Sequence, residues 1–207
     1  MGKLYQKFFA AIYDPFMGQF ERKLSKKRKG LIADLEGKIL EVGAGTGINF
    51  QFYGKNTEVI AVEPSVDMAK RARVKIPEGS NIRIIEEGVN AQAVEEVIAP
   101  ESLDAVVSTL VLCTVPNVEL AIENFSRWLK PSGKLVLIEH IRPKTSLKGK
   151  VFDFFTPAWK VAGDGCHLNR DTDKLVKAAG FVPIYEKYYD MGLPWYEGVF
   201  TKKPELN

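Results

Sequence analysis

Glu41-Val42-Gly43-Ala44-Gly45-Thr46-Gly47 follows a short apolar run and holds three glycines on alternate positions. Such a turn lets backbone approach a ligand closely, and free N–H groups where a helix opens can bind polar or anionic groups. A dinucleotide fingerprint spaces its glycines GxGxxG to seat a pyrophosphate. Here the third glycine comes one position early, and Glu41 lies two residues before the first. A carboxylate at Glu41 repels a pyrophosphate but can orient the ammonium of a methionine moiety. Glu63 ends the next apolar run, at the separation where ribose-binding acids occur in nucleotide-binding sheets, and its oxygens can accept ribose hydroxyls. Pro64 and Ser65 open a helix that carries Met68 one turn in, against the expected adenine. Gly88 and Val89 follow the third run. A plain strand-to-helix turn is the alternative reading of the glycines, and core packing that of Met68.

Only His140 and His167 are expected to titrate near neutrality. His140 closes the fifth run, so it faces the crevice beyond the strand ends, as catalyst, substrate contact or structural hydrogen-bond partner. Cys166, His167 and Arg170 are candidate substrate contacts, although Gly163-Asp164-Gly165-Cys166 also reads as a turn before a helix capped near Asn169 or Asp171.

The elements that position these residues are legible from periodicity. β-Branched runs at 39–42, 58–62, 82–85, 103–108 and 134–139 alternate with helical stretches at about 47–54, 65–74, 117–129 and 171–179. Strands buried on both faces alternating with crossover helices predict an α/β fold: a Rossmann-like, mostly parallel, seven-stranded sheet with helices on both faces. Pro131-Ser132-Gly133 and Gly180 stop the helices before the fifth and sixth strands. Two segments fall outside this rhythm. Residues 1–37 form a helical arm, expected to act as a lid on a domain at 38–207, and 141–170, with Phe152, Phe154, Phe155 and Trp159, forms a cap after the fifth strand. Both can wall an acceptor pocket, with Tyr5 and Tyr13 of the arm on the substrate. On this reading, deleting residues 1–30 spares cofactor binding but abolishes turnover.

The chain of 207 residues, 45% hydrophobic and 27% charged, suits one domain with its own core. Two cysteines, Cys113 and Cys166, give no disulfide framework and no zinc-type spacing, so no metal site is expected and a reducing cytoplasm is the expected compartment. No secretory signal and no apolar run of roughly 18 to 20 residues is present, which predicts a soluble protein. The net charge of +3 conceals eight basic against two acidic residues within 1–30. Arg22, Lys23, Lys26, Lys27, Arg28 and Lys29, with Phe8, Phe9, Ile12, Phe16 and Phe20, could place the arm peripherally on anionic lipid; a solvated helix face is the alternative. Nucleic acid is not an expected partner, because the basic charge is confined to the arm and no AspProProTyr-like tetrad is present. Oligomeric state is not readable from the sequence.

The glycine turn paired with Glu63-Pro64 resembles the class I S-adenosylmethionine (SAM) dependent methyltransferases. A closer resemblance, from about Lys38 to Lys203, is to the methyltransferase-like thiol S-methyltransferases. It is carried by GlyThrGlyIleAsnPheGlnPheTyr (45–53), SerThrLeuValLeuCysThrVal (108–115), LeuLysProSerGlyLys (129–134), Glu139-His140 and GlyAspGlyCysHisLeuAsnArg (163–170). Tyr13-Asp14-Pro15-Phe16 is similar to the entry of bacterial phosphatidylethanolamine and ubiquinone/menaquinone methyltransferases. The resemblance implies SAM as cofactor and S-adenosylhomocysteine as product. It implies Glu41, Gly43, Ala44, Gly45, Gly47 and Asn49 in the SAM loop, Glu63 on the ribose, Gly88 and Val89 beside adenine, and Thr109 and Leu110 beside the methionine part. The acceptor it implies is small and lipophilic: a thiol, a phospholipid amine or a quinol-like ring. His140 and Tyr13 are its candidate catalytic residues. Thiol methyltransferases of this kind usually begin with a hydrophobic anchor, where this chain has the basic arm. The rival readings are a SAM-binding or membrane-associated adaptor without turnover, and an NAD-dependent oxidoreductase, which the glycine spacing disfavours.

Overall fold

A computed structural model describes Gly18 and residues 21–203. Seven strands form one sheet in the order β3-β2-β1-β4-β5-β7-β6. They are β1 (Gly37–Val42), β2 (Thr57–Val62), β3 (Asn81–Ile85), β4 (Leu103–Thr109), β5 (Leu129–His140), β6 (Phe181–Asp190) and β7 (Pro194–Lys202). The first five pair in parallel, while β7 runs antiparallel between β5 and β6. The mostly parallel, Rossmann-like sheet expected from the alternation is therefore present, with a terminal hairpin.

Side-chain alternation along the strands explains why both faces are covered. Leu40, Val42, Ile60, Val62, Val106, Leu135 and Leu137 enter one core, which contains Val118, Ala121, Ile122 and Phe125 of α4 (Val118–Trp128). Their neighbours Ile39, Val59, Ala105, Val107 and Val136 point the other way, against Ile32 of α1, the helix described over 21–32. Each fully buried aliphatic side chain contributes about 1.5–3 kcal/mol, so the two-sided pattern drives the layering. Leu24 of α1, fully buried, adds a contact with Ile138 and Trp195.

Three further helices match the predicted positions or add to them. α2 (Val66–Val74) is capped by Ser65, whose hydroxyl accepts from the Met68 amide; α3 (Gln92–Glu95) is a single turn; α6 (Thr172–Ala178) precedes β6. The segment after β5 folds as α5 (Ser146–Ala162). The helix expected at 47–54 is not formed: only a 3-10 turn, Phe50–Phe52, follows the glycines. Gly47 has φ +77, and the turn delivers Phe50 to a small core with Ala44, Ala61 and Ala72. Pro131–Gly133 marks an irregularity within β5, whose register against β4 shifts between Leu103 and Ala105; α4 has already ended at Trp128.

Strand order reverses between β1 and β4, which opens a crevice at their carboxyl ends. The glycine turn, Thr109 and Leu110 all lie there. Leu110 has φ +64, a conformation that costs a leucine energy and is held by its amide bond to the Ile138 carbonyl (2.8 Å).

Candidate active site

The glycine turn is fixed by sterics and by Glu63. Gly43 has φ +59, and a β-carbon there would overlap Val111; at Gly47 it would come within 2.9 Å of the Phe50 ring. The Glu63 carboxylate accepts from the Gly45 amide through Oε2 and from the Ser65 amide through Oε1, both at 2.8 Å. It thus ties the turn to the end of β2. Burial pushes its pKa up, against the pull of the Ser65 and Gly45 amides. A carboxylate offers about four lone-pair sites, so ribose hydroxyls remain acceptable ligands, on oxygens that already have one partner each.

Beside the turn lies a polar cluster that the sequence did not suggest as a whole. Arg28, 4% exposed, reaches from α1 and donates through Nη1 to Asn49 Oδ1 (2.9 Å) and to Thr109 Oγ1. Its Nη2 meets Glu21 Oε1 at 3.0 Å. Asn49 Nδ2 donates in turn to Glu41 Oε1 and Thr109 Oγ1, each at 3.0 Å. Burial lifts the Glu41 pKa to about 7, opposed by the Tyr53 hydroxyl, the Asn49 amide and Arg28. Arg28 was read from the sequence only as part of a basic face; its helical neighbours Leu24 and Ile32 turn the same side of α1 toward the sheet, and that spacing is the one available signal.

The residues present fit SAM. Arg28 Nε and Glu41 Oε2 are buried with no hydrogen-bond partner among the described residues. Arg28 lines one small cavity with Gly43, Gly45, Asn49 and Thr109, and Glu41 accepts from the Asn49 amide of that lining, so a cation and a carboxyl stand near one another, complementary to the carboxylate and ammonium of an amino acid. Met68 is buried at the first turn of α2, beyond Pro64. Val89 is buried in the main core, and Gly88 is half-buried next to it. Tyr5 and Tyr13 lie outside the described residues.

At the ends of β4 and β5 the fold makes a second cluster. His140 Nε2 stands 3.1 Å from Cys166 Sγ, and the ligand atoms of Cys113, His140 and Cys166 all lie within 4.8 Å of one another. Cys113 and Cys166 are 53 residues apart with His140 between them, so no ligand-type spacing along the chain marks the cluster, and the expectation of no metal site rests on spacing alone. Cys113 beside it holds the Cys166 thiol down at about 4, assisted by His140 and Trp159 against the opposing effect of burial. Burial alone would lower the His140 pKa, but the Cys166 contact and the Glu139 charge raise it.

The loop carrying Cys113 is pinned from two sides. Glu139 Oε1 accepts from the Val111 and Leu112 amides (both 3.0 Å) and from Ser108 Oγ (3.1 Å). The His167 amide donates to the Cys113 carbonyl at 2.9 Å, with His167 Nδ1 3.0 Å from the same oxygen. Arg170 Nη1 donates to the Leu112 and Val115 carbonyls. His167 and Arg170 thus use polar atoms to build the loop. A groove of about 460 Å³ runs alongside, bounded by Thr156, Pro157 and Val161 of α5 and by His167 and Asn169.

An open α/β sheet with a glycine turn and acids at the ends of β1 and β2 defines a nucleotide-type binding protein. Residues 40–137 match the methyltransferase domain family. Rat thiol S-methyltransferase TMT1B is 32% identical, over 85% of this chain and 75% of its own. The phosphatidylethanolamine N-methyltransferase of Cereibacter sphaeroides is 28% identical over 63% and 64%. Among solved structures, Haemonchus contortus phosphoethanolamine N-methyltransferase 2 with S-adenosylhomocysteine has a TM-score of 0.69 at 13% identity, covering 96% of this chain and 58% of that one. The chain belongs to the class I SAM-dependent methyltransferases, and SAM is its cofactor.

Proposed function

We propose that this enzyme methylates the sulfur of a small lipophilic thiol. The observation that carries the reading is the cluster of Cys113, His140 and Cys166 at the ends of β4 and β5; Cys113 Sγ lies 3.9 Å from the carbonyl oxygen of Leu110, next in the chain to Thr109 of the cavity that Arg28 and Asn49 also line. The thiol S-methyltransferase relatives, aligned over most of the chain, support the same acceptor. Bound SAM supplies an electrophilic methyl group on a sulfonium, already a good leaving group.

The chain's own residues bind, orient and exclude water. Glu41 and Arg28 hold the amino-acid end of the cofactor, Glu63 the ribose, and Met68, Gly88 and Val89 the adenine side. Most of the rate enhancement then comes from aligning the acceptor in a site closed to water. A thiol must also give up its proton, and His140, with Cys166, marks where it does so.

A second reading concerns where the acceptor comes from. Phe154, Phe155, Leu147 and Val161 of α5 are exposed, which favours peripheral contact with a lipid surface as the source of an apolar substrate. Among the described residues no helix is long and apolar enough to cross a membrane.

The deciding experiment is a panel of alkyl thiols, phosphatidylethanolamine, quinol precursors and small amines, followed by release of S-adenosylhomocysteine. Turnover fastest with apolar thiols is expected. Turnover with an amine or quinol and none with thiols would refute the thiol assignment while leaving the methyltransferase class intact.

A further inference from the structure

We propose that Cys113, His140 and Cys166 form a binding site for a zinc-class divalent cation, with the fourth coordination position left for the acceptor thiol. The proposal rests on the thiol reading for its fourth ligand only; the three protein ligands stand on their own geometry.

Two sulfurs and one imidazole nitrogen form the donor set of a catalytic zinc site, in which three protein ligands leave one position open. With metal–ligand bonds of about 2.0–2.3 Å, tetrahedral donors sit roughly 3.3–3.8 Å apart. Here Nε2 of His140 and Sγ of Cys166 are 3.1 Å apart, and all three donor atoms lie within 4.8 Å of one another. Small side-chain rotations close the remaining gap.

The surroundings hold these donors in place before any ion arrives. Cys113 sits on the loop pinned by Glu139, His167 and Arg170, and His140 is fixed in β5 opposite Trp195 of β7. A divalent cation with two cysteine thiolates is neutral, and an acceptor thiolate adds one negative charge beside that of Glu139. Arg170, close enough to feel both cysteines and Glu139, offsets one of the two.

Such an ion makes a thiol acidic without a general base. The acceptor R–SH binds the cation as R–S⁻ and its proton passes to solvent. The new sulfur–methyl bond then forms as the methyl–sulfonium bond of the donor breaks, leaving the thioether and S-adenosylhomocysteine. No oxidant or reductant is required.

The test is a Co²⁺ titration of the reduced full-length chain under anaerobic conditions, with Zn²⁺ as competitor. One equivalent is expected to give a thiolate-to-cobalt band in the near ultraviolet and the visible bands of a tetrahedral site, both abolished by Zn²⁺. Cys113→Ser and Cys166→Ser should each weaken binding at least tenfold, with circular dichroism unchanged. An alkyl thiol should shift the visible bands. Absence of the thiolate band, or unchanged affinity and band intensity in both serine variants, overturns the site; bands indifferent to the thiol overturn the open position. SAM binding, measured separately by calorimetry, identifies failure of the methyltransferase reading independently. If a serine variant is misfolded, the same titration on His140→Ala replaces it, with loss of the tetrahedral bands expected and their retention counting against the site.

Discussion

Arg28 Nη1 lies 2.9 Å from Asn49 Oδ1, so a helix outside the predicted domain boundary contributes directly to the cofactor cavity. Arg28→Ala is expected to weaken SAM binding. A hydrogen bond to a charged group contributes roughly 1.5–3 kcal/mol, which corresponds to about 10- to 150-fold in Kd. Calorimetry on Arg28→Ala and Arg28→Lys checks it, and an unchanged Kd would remove Arg28 from the site. Deleting residues 1–30 removes Arg28 and the buried Leu24 together, so this structure predicts loss of SAM binding where a simple lid predicts none.

Glu63 is bonded to both the Gly45 and Ser65 amides, so its removal should harm the turn as well as the ribose contact. Glu63→Ala is expected to raise the SAM Kd at least tenfold and to lower Tm. Glu63→Gln keeps one acceptor oxygen and should fall between. Equal SAM affinity in all three proteins would limit Glu63 to a structural role, or to none if Tm is also unchanged.

Glu41 gives a pH prediction with a definite sign. Its pKa rises from an ordinary 4.5 to about 7 in the fold. Below 4.5 it is protonated folded or unfolded and contributes nothing to the pH dependence. Between 4.5 and about 7 only the folded state keeps the proton, so stability falls as pH rises, by on the order of 3 kcal/mol in total, and levels off above 7. Urea unfolding of the wild type minus that of Glu41→Gln isolates this slope. The SAM ammonium favours ionised Glu41, so SAM affinity should rise across the same interval with proton release. Identical pH profiles for the two proteins would exclude Glu41 from both effects.

What was legible in the sequence follows from how local each signal is. The strand alternation and the glycine turn are written in neighbouring residues, and Gly43, Gly47 and Glu63 stand where the spacing placed them. The helix expected at 47–54 failed because Gly47 and Asn49 are committed to the turn and to the polar cluster. Arg28 and the Cys113, His140 and Cys166 cluster are products of topology: each joins residues from different elements, and no spacing along the chain encodes their approach.

The last prediction concerns lipid. Six basic residues of the arm were candidates for an anionic surface, but two are occupied within the fold: Arg28 is buried, and Lys27 pairs with Glu197 at 2.7 Å and lies 3.8 Å from the Tyr189 ring centre. Arg22, Lys23, Lys26 and Lys29 remain exposed. At about 1 kcal/mol each near an anionic membrane, they give a modest attraction that a Debye length of about 8 Å at physiological salt weakens further. The exposed Phe154 and Phe155 of α5 supply an apolar contribution that salt does not screen. Co-sedimentation should therefore show binding to phosphatidylserine vesicles at low salt, weaker at high salt. Replacing the four arm cations by Gln should abolish the salt-dependent part, and Phe154→Ser with Phe155→Ser the remainder. Failure to bind either anionic or neutral vesicles at low salt would refute membrane contact, and α1 would then serve the cofactor cavity alone.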